Sequence, residues 1–184
     1  MQILRSRRST SSTKPISTQE LSELLHFAAQ PLQVHMDTSG YFTSLRPSPS
    51  AGARHPLDIF VISPLLNDEA KGIGYYNSFE HSIDLINVDQ KILGKFIELV
   101  NKNKPIGSAT LLWFGACMQK TGSKYQNPES LVWRDCGALL MCLQLVGQAL
   151  GLKSCPIGTL GYPHFDKMFK TKNIISGGGL LVGN

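Results

Sequence analysis

Arg7, Arg8 and Ser9 stand together near the start of the chain, in the run RSRRSTSSTK at 5–14. Two adjacent guanidiniums followed by several hydroxyls can hold a phosphate, because a guanidinium pairs with phosphate oxygens two at a time and hydroxyls add further hydrogen bonds. A solvated basic tail has the same composition, and both readings stay open at this level. The run RPSPSAGARHP, 46–56, places Ser50, Ala51 and Gly52 among prolines that stiffen the backbone. Gly52, lacking a Cβ, would let main-chain groups approach a flat ligand, although an ordinary surface turn is built the same way. A third small-residue stretch, SCPIG at 154–158, reads as a turn in which Pro156 with Gly158 could again bring backbone amides to a ligand edge.

Other chemistries lack their residues. The four cysteines, Cys117, Cys136, Cys142 and Cys155, make no C-x-x-C pair and lie in apolar stretches, which suits buried free thiols in a reducing cytoplasm. The histidines form no ligand spacing, so no metal is expected. GIG at 72–74 lacks the third glycine and following helix of a dinucleotide fingerprint, so NAD(P)H would visit a site rather than occupy one of its own. The formal charge of +5 suits a phosphorylated ligand, an acidic surface or nucleic acid. Without aromatics interleaved among the basic residues, nucleic acid is not expected as a partner. No apolar run reads as a membrane span, and no apolar core of a secretory signal precedes the first helix. The Arg- and Ser-rich leader also has the composition of a mitochondrial transit peptide.

The elements that must position these residues follow from periodicity. PISTQELSELLHFAAQ pairs Ser17 with Glu20 at capping-box spacing and sets Leu21, Leu24, Leu25 and Ala28 on one helical face. Pro31 to Ala53 reads as a long loop, and LDIFVIS, Leu57 to Ser63, as a buried strand. Lys71 to Ile86 predicts a hairpin, about Gln90 to Val100 a helix, and Ala109 to Phe114 a strand. From Arg134 to Leu150 a helix is apolar nearly all round, broken only by Gln144 and Gln148, and so must be covered centrally or by a partner subunit. GGGLLVG closes the chain as a short strand. With 184 residues, 42% of them hydrophobic, and no internal linker, a single domain over 1–184 of α+β or α/β sandwich type is expected.

The order of RRS before PISTQELSELL, PSAGA before a strand, and DCGALL…ALGLKSCPIG resembles the nitroreductase-like FMN-dependent superfamily over almost the whole chain. Within it, RPSPSAGARHPLDIFVI followed by GIGYYNSFEHSIDLI, and Lys124-Tyr125 ahead of the apolar helix, look most like the SagB-type dehydrogenase branch. The resemblance implies an α/β sandwich with a central, mainly antiparallel sheet and flanking helices, FMN as cofactor, and a homodimer with its active site between subunits. It further implies that Arg7, Arg8 and Ser9 bind the FMN phosphate and ribityl chain, that Ser50, Ala51 and Gly52 line the flavin, and that Pro156, Ile157 and Gly158 form the turn at its N5 side.

For a SagB-type enzyme the implied reaction dehydrogenates a small-molecule or peptide-derived cyclic substrate, azoline to azole. Lys124 would then be the catalytic base, if burial or a neighbouring cation lowers its pKa, and Tyr125 would relay or polarise. An NAD(P)H-dependent nitroreductase or quinone reductase uses the same fold without needing that base. Three departures, Ser11 where relatives commonly carry a basic residue, the end at Gly183-Asn184 where relatives often continue with another, and Met141-Cys142 where the SagB branch has Gln-Asn, motivate a third expectation: a catalytically silent subunit of a modification complex.

Overall fold

The computed structural model describes residues 2–38, 40–66, 72–169 and 174–184. At its centre is a six-stranded sheet built from β3 (Leu57–Ser63), β4 (Gly72–Asn77), β5 (Ser82–Leu85), β6 (Thr110–Cys117), β7 (Lys153–Ile157) and β8 (Ile174–Gly183). The strand order is β5-β4-β3-β6-β8-β7 and every pairing is antiparallel. This is the α+β sandwich with flanking helices that the sequence implies.

Side chains on successive strand residues point to opposite faces, so a sheet covered on both sides needs continuous apolar runs. Ile59 and Val61 of β3, Leu112 and Phe114 of β6 and Leu180 and Val182 of β8 join one core cluster. Their neighbours Phe60, Ile62, Leu111, Trp113 and Leu181 join the other. The first cluster is closed by α2 (Thr18–Ala29) and α5 (Glu129–Ala149), and the second by α3 (Gln90–Asn103) and α6 (His164–Phe169). The capping box of α2 forms as the spacing predicts: Ser17 N–H donates to Glu20 Oε2 at 2.6 Å and Glu20 N–H to Ser17 Oγ at 3.2 Å. The Ser17 N–H, and then the Ser17 hydroxyl, which also donates to Oε2 at 2.8 Å, hold the Glu20 carboxyl below its ordinary pKa.

Three expectations need correction. The stretch 31–53 is not structureless, for it contains a small antiparallel hairpin of β1 (Gln33–Met36) and β2 (Phe42–Leu45). All four residues of β1 are exposed, so no apolar alternation betrays it. Second, Pro156 and Ile157 lie in β7 rather than in a turn; a proline is tolerated there because β7 is an edge strand paired only with β8 within the sheet. Third, by length and composition α5 is apolar enough to cross a membrane, contrary to expectation. It packs against α2 and the sheet, burying Val132, Leu139 and Leu143 among others, which is the behaviour of a core helix. Its burial is one-sided: Trp133, Arg134, Gly137 and Met141, spaced three and four apart, form an uncovered stripe.

Candidate functional site

Between β2 and β3 the chain turns sharply through Ala51–Ala53, and Gly52 (φ 62°), Ala53 (φ 56°) and His55 (φ 43°) are all left-handed. For a residue with a Cβ that conformation costs about 1–2 kcal/mol and needs its surroundings to hold it. The hold comes from Asp135 in α5, which is 8% exposed. Ser50 Oγ donates to Asp135 Oδ2 at 2.6 Å, and Ala51 N–H donates to both carboxylate oxygens at 3.1 and 3.2 Å. His55 N–H in turn donates to Ser50 Oγ at 2.9 Å. A buried carboxylate must be hydrogen-bonded, and here the loop supplies the donors. The sequence assigns Asp135 no role; the available signal is a carboxylate set beside the long apolar stretch of α5.

Lys124 and Tyr125 come to this same turn. They follow α4 (Met118–Gly122), and their backbone N–H groups both donate to Thr121 O, at 3.1 and 3.0 Å. A Cβ added to Gly52 would lie 3.0 Å from Lys124 Cδ and 3.1 Å from Tyr125 Oη. A side chain there would press on both, and Lys124 and Tyr125 would have to give by a few tenths of an ångström to admit it. Tyr125 is half-buried, whereas Lys124 is exposed with its Nζ 5.8 Å from the Tyr125 ring centroid.

The remaining expected site residues form a second group. Arg7 follows α1 (Gln2–Ser6), its Nη1 donating to Ser9 Oγ at 3.4 Å, while Arg8 Nη1 donates to Arg5 O and Arg7 O, each at 2.8 Å. Thr10 N–H donates to Ser154 O at 2.9 Å, laying this segment along β7 two residues ahead of Pro156. Ile157 is buried and Gly158 exposed just beyond the strand. Helix α5 is common to both groups, since it packs against α1, β7 and the Ala51–Ala53 turn.

Beside the turn a cleft of about 690 Å³, open to solvent, is lined by Tyr41, Phe42, Arg46, Arg54, Phe79 and Lys120, with Ser44 and His55 behind them. Arg54 pairs with Asp37 at 2.5 Å and lies 5.1 Å from the Tyr41 ring. Arg46 donates to Ser44 Oγ at 2.9 Å and Ala29 O at 3.4 Å, and its guanidinium sits 5.7 Å from the Phe79 ring. Lys120 Nζ meets Asp58 Oδ1 at 2.8 Å. Burial, and then the Arg46 charge, push His55 down to about 4, so it is neutral near pH 7 and its Nε2–H donates to Ser44 O at 2.8 Å. Burial foremost pushes Tyr75 up to about 12, helped by the Asp58 carboxylate. None of the two arginines or His55 was assigned a role from sequence, because their meeting depends on the unforeseen β1–β2 hairpin. All four cysteines are free, and among the described residues no cluster of His, Cys, Asp or Glu could hold a metal.

Comparison with known proteins gives this geometry its context. The model described as Nitroreductase family matches residues 4–183. No curated protein matches the sequence at a significant level. Among solved structures, the chain is similar to a protein from Ralstonia eutropha JMP134 named as a nitroreductase, at 18% identity and TM-score 0.71, covering 99% of this chain and 80% of that one. It is also similar to a chain of the Escherichia coli microcin synthetase McbBCD complex bound to truncated pro-MccB17, at 16% identity and TM-score 0.72, covering 97% and 70% respectively. A third, from Desulfovibrio desulfuricans, is named as a nitroreductase in complex with FMN, at 13% identity and TM-score 0.59, covering 99% and 83%.

Proposed function

The chain belongs to the nitroreductase family of flavin oxidoreductases, and from that premise we propose that it is a homodimeric, FMN-dependent dehydrogenase of SagB type, a single domain over 1–184 working in the cytoplasm. The observation that carries this reading is the packing of Lys124 and Tyr125 on Gly52, which sets the proposed base and its phenol against the proposed flavin-lining turn. The donor set suits FMN. Arg7 and Arg8 have no acid partner among the described residues and each commits only Nη1 to the chain, leaving the rest of each fork for a phosphate. The likeness to a chain of the microcin synthetase complex supports the SagB-type direction.

In this reading FMN, when bound, accepts a hydride from the substrate. Arg7, Arg8 and Ser9 hold its phosphate, Ser50 to Gly52 form one wall of its site, and the backbone around Pro156, Ile157 and Gly158 meets its N5 edge. Because the Ser50 hydroxyl and Ala51 N–H already serve Asp135, that wall acts by shape rather than by donating hydrogen bonds. Lys124 takes a proton from the ring of a small or peptide-derived cyclic substrate, and Tyr125 orients that substrate. A lysine does this only when neutral, which requires a dry surrounding. Lys124 is exposed in the single chain, and in the proposed dimer the second subunit would cover it. The same exposure favours a second reading, an NAD(P)H-dependent nitroreductase or quinone reductase that needs no base.

Purified protein is expected to be yellow and to release FMN on denaturation; protein that stays colourless in excess FMN overturns both readings. Lys124→Ala is expected to retain flavin and lose azoline dehydrogenation. Unchanged dehydrogenation, or rapid bleaching by NAD(P)H without any azoline turnover, sends the assignment to the reductase.

A further inference from the structure

We propose that the cleft between the β1–β2 hairpin and the Ser50–His55 turn binds an aromatic carboxylate, its carboxylate held by Arg46 and Arg54 and its ring by Tyr41, Phe42 and Phe79. As a statement about the reaction, in which the azole product rather than the azoline is the aromatic ring, it rests on the function proposed above; as a statement about binding it does not.

Charge argues for a monoanion. Three cations line the cleft, Arg46, Arg54 and Lys120. Asp37 neutralises Arg54 and Asp58 neutralises Lys120. Arg46 has no carboxylate within ion-pair distance among the described residues and is bonded only to a hydroxyl and a carbonyl. One positive charge is left over, which a carboxylate matches and a phosphate dianion exceeds. Arg46 is also partly desolvated, which lowers its pKa and makes an unpaired guanidinium costly there.

Hydrogen bonding gives the two arginines different parts. The Arg54 side chain is 3% exposed, and its Nε and Nη1 are buried without a partner among the described residues. Unpartnered buried donors are uncommon in folded proteins and need an explanation. With Asp37 on its Nη2 and the other two nitrogens closed to solvent, Arg54 offers an anion in the cleft its charge rather than a free fork, whereas Arg46 commits Nε and Nη1 and leaves Nη2 for a carboxylate oxygen. The walls argue for a ring: Tyr41, Phe42 and Phe79 are 47%, 62% and 57% exposed, an unusual concentration of open aromatic surface around one basic cleft.

The test is calorimetric titration of the full chain with benzoate, its neutral isostere benzamide, and inorganic phosphate, each with and without FMN. Benzoate is expected to bind one per chain, at least ten-fold tighter than benzamide, with FMN not competing. Arg46→Met should weaken benzoate ten-fold or more. Arg54→Met combined with Asp37→Asn should do the same without leaving a buried charge unpaired. Phe79→Ala, at an exposed position, should weaken benzoate several-fold with an unchanged circular dichroism spectrum. Equal binding of benzamide, tighter binding of phosphate, or displacement of benzoate by FMN overturns the proposal. Flavin fluorescence quenching, read separately, distinguishes the two failures: benzoate binding without FMN binding supports the cleft and removes the flavin function, and the reverse removes the cleft alone.

Discussion

Ser50 Oγ and Asp135 Oδ2 lie 2.6 Å apart, joining the left-handed turn before β3 to the middle of α5 across 85 positions of sequence. Because Ala51 N–H reaches the same carboxylate, one buried acid sets the position of the turn. Asp135→Asn keeps the shape but removes the charge and one acceptor. Its unfolding free energy is expected to fall by about 1–3 kcal/mol, measured by urea denaturation monitored with tryptophan fluorescence. A loss below a few tenths of a kcal/mol shows that the turn is held by other means.

Gly52→Ala combines a left-handed backbone with a new methyl group pressed against Lys124 and Tyr125. The expected loss is about 1–2 kcal/mol of stability, chiefly from the backbone. Turnover should fall more than stability predicts, because the methyl displaces the Lys124 and Tyr125 side chains. Steady-state kinetics on flavin-saturated variant checks this; a stability loss with unchanged kcat separates the turn from the chemistry.

His55 gives a pH signature. Its pKa is lowered to about 4 in the folded chain from an ordinary 6.5, so between those values the unfolded chain binds more protons. The contribution of neutral His55 is therefore complete above pH 6.5 and lost as pH falls through 4. Thermal melts should show Tm declining across that window, less steeply in His55→Gln. Identical slopes for the two proteins assign the decline to other groups.

The uncovered stripe of α5 predicts the assembly. Trp133 is 37% and Met141 45% exposed, large apolar side chains for a free helix face. Met141→Glu is expected to convert a dimer to a monomer on size-exclusion chromatography with light scattering, leaving the helical content intact. A wild-type monomer, or a variant that stays dimeric, places the subunit contact elsewhere.

Much of the scaffold was legible in the sequence because it rests on local rules. The Ser17–Glu20 capping box, the apolar run of β3 and the β4–β5 hairpin each follow from residue types a few positions apart. What stayed hidden depends on distant meetings. β1 shows no alternation because both its faces are exposed, and without it the Arg54–Asp37 pair has no reason to exist. SCPIG reads as a turn because proline and glycine punctuate chains, yet an edge strand accepts a proline equally well. Asp135 was visible as an oddity in its helix, but its two loop donors lie in another part of the chain. The roles proposed for Lys124 and for the Ser50–Gly52 turn rest on resemblance alone, and that the two meet at Gly52 emerges only in the fold.

Pro156 bears on how copies of this protein avoid one another. An edge strand with free donors and acceptors is a template on which a neighbouring chain can add itself without limit. β7 lacks the donor at Pro156, and its Ser154 carbonyl is already taken by Thr10 N–H. At the far edge β5 is four residues long and carries Asp84 outward, exposed. Both borders of the central sheet are thus guarded against fibril-like growth.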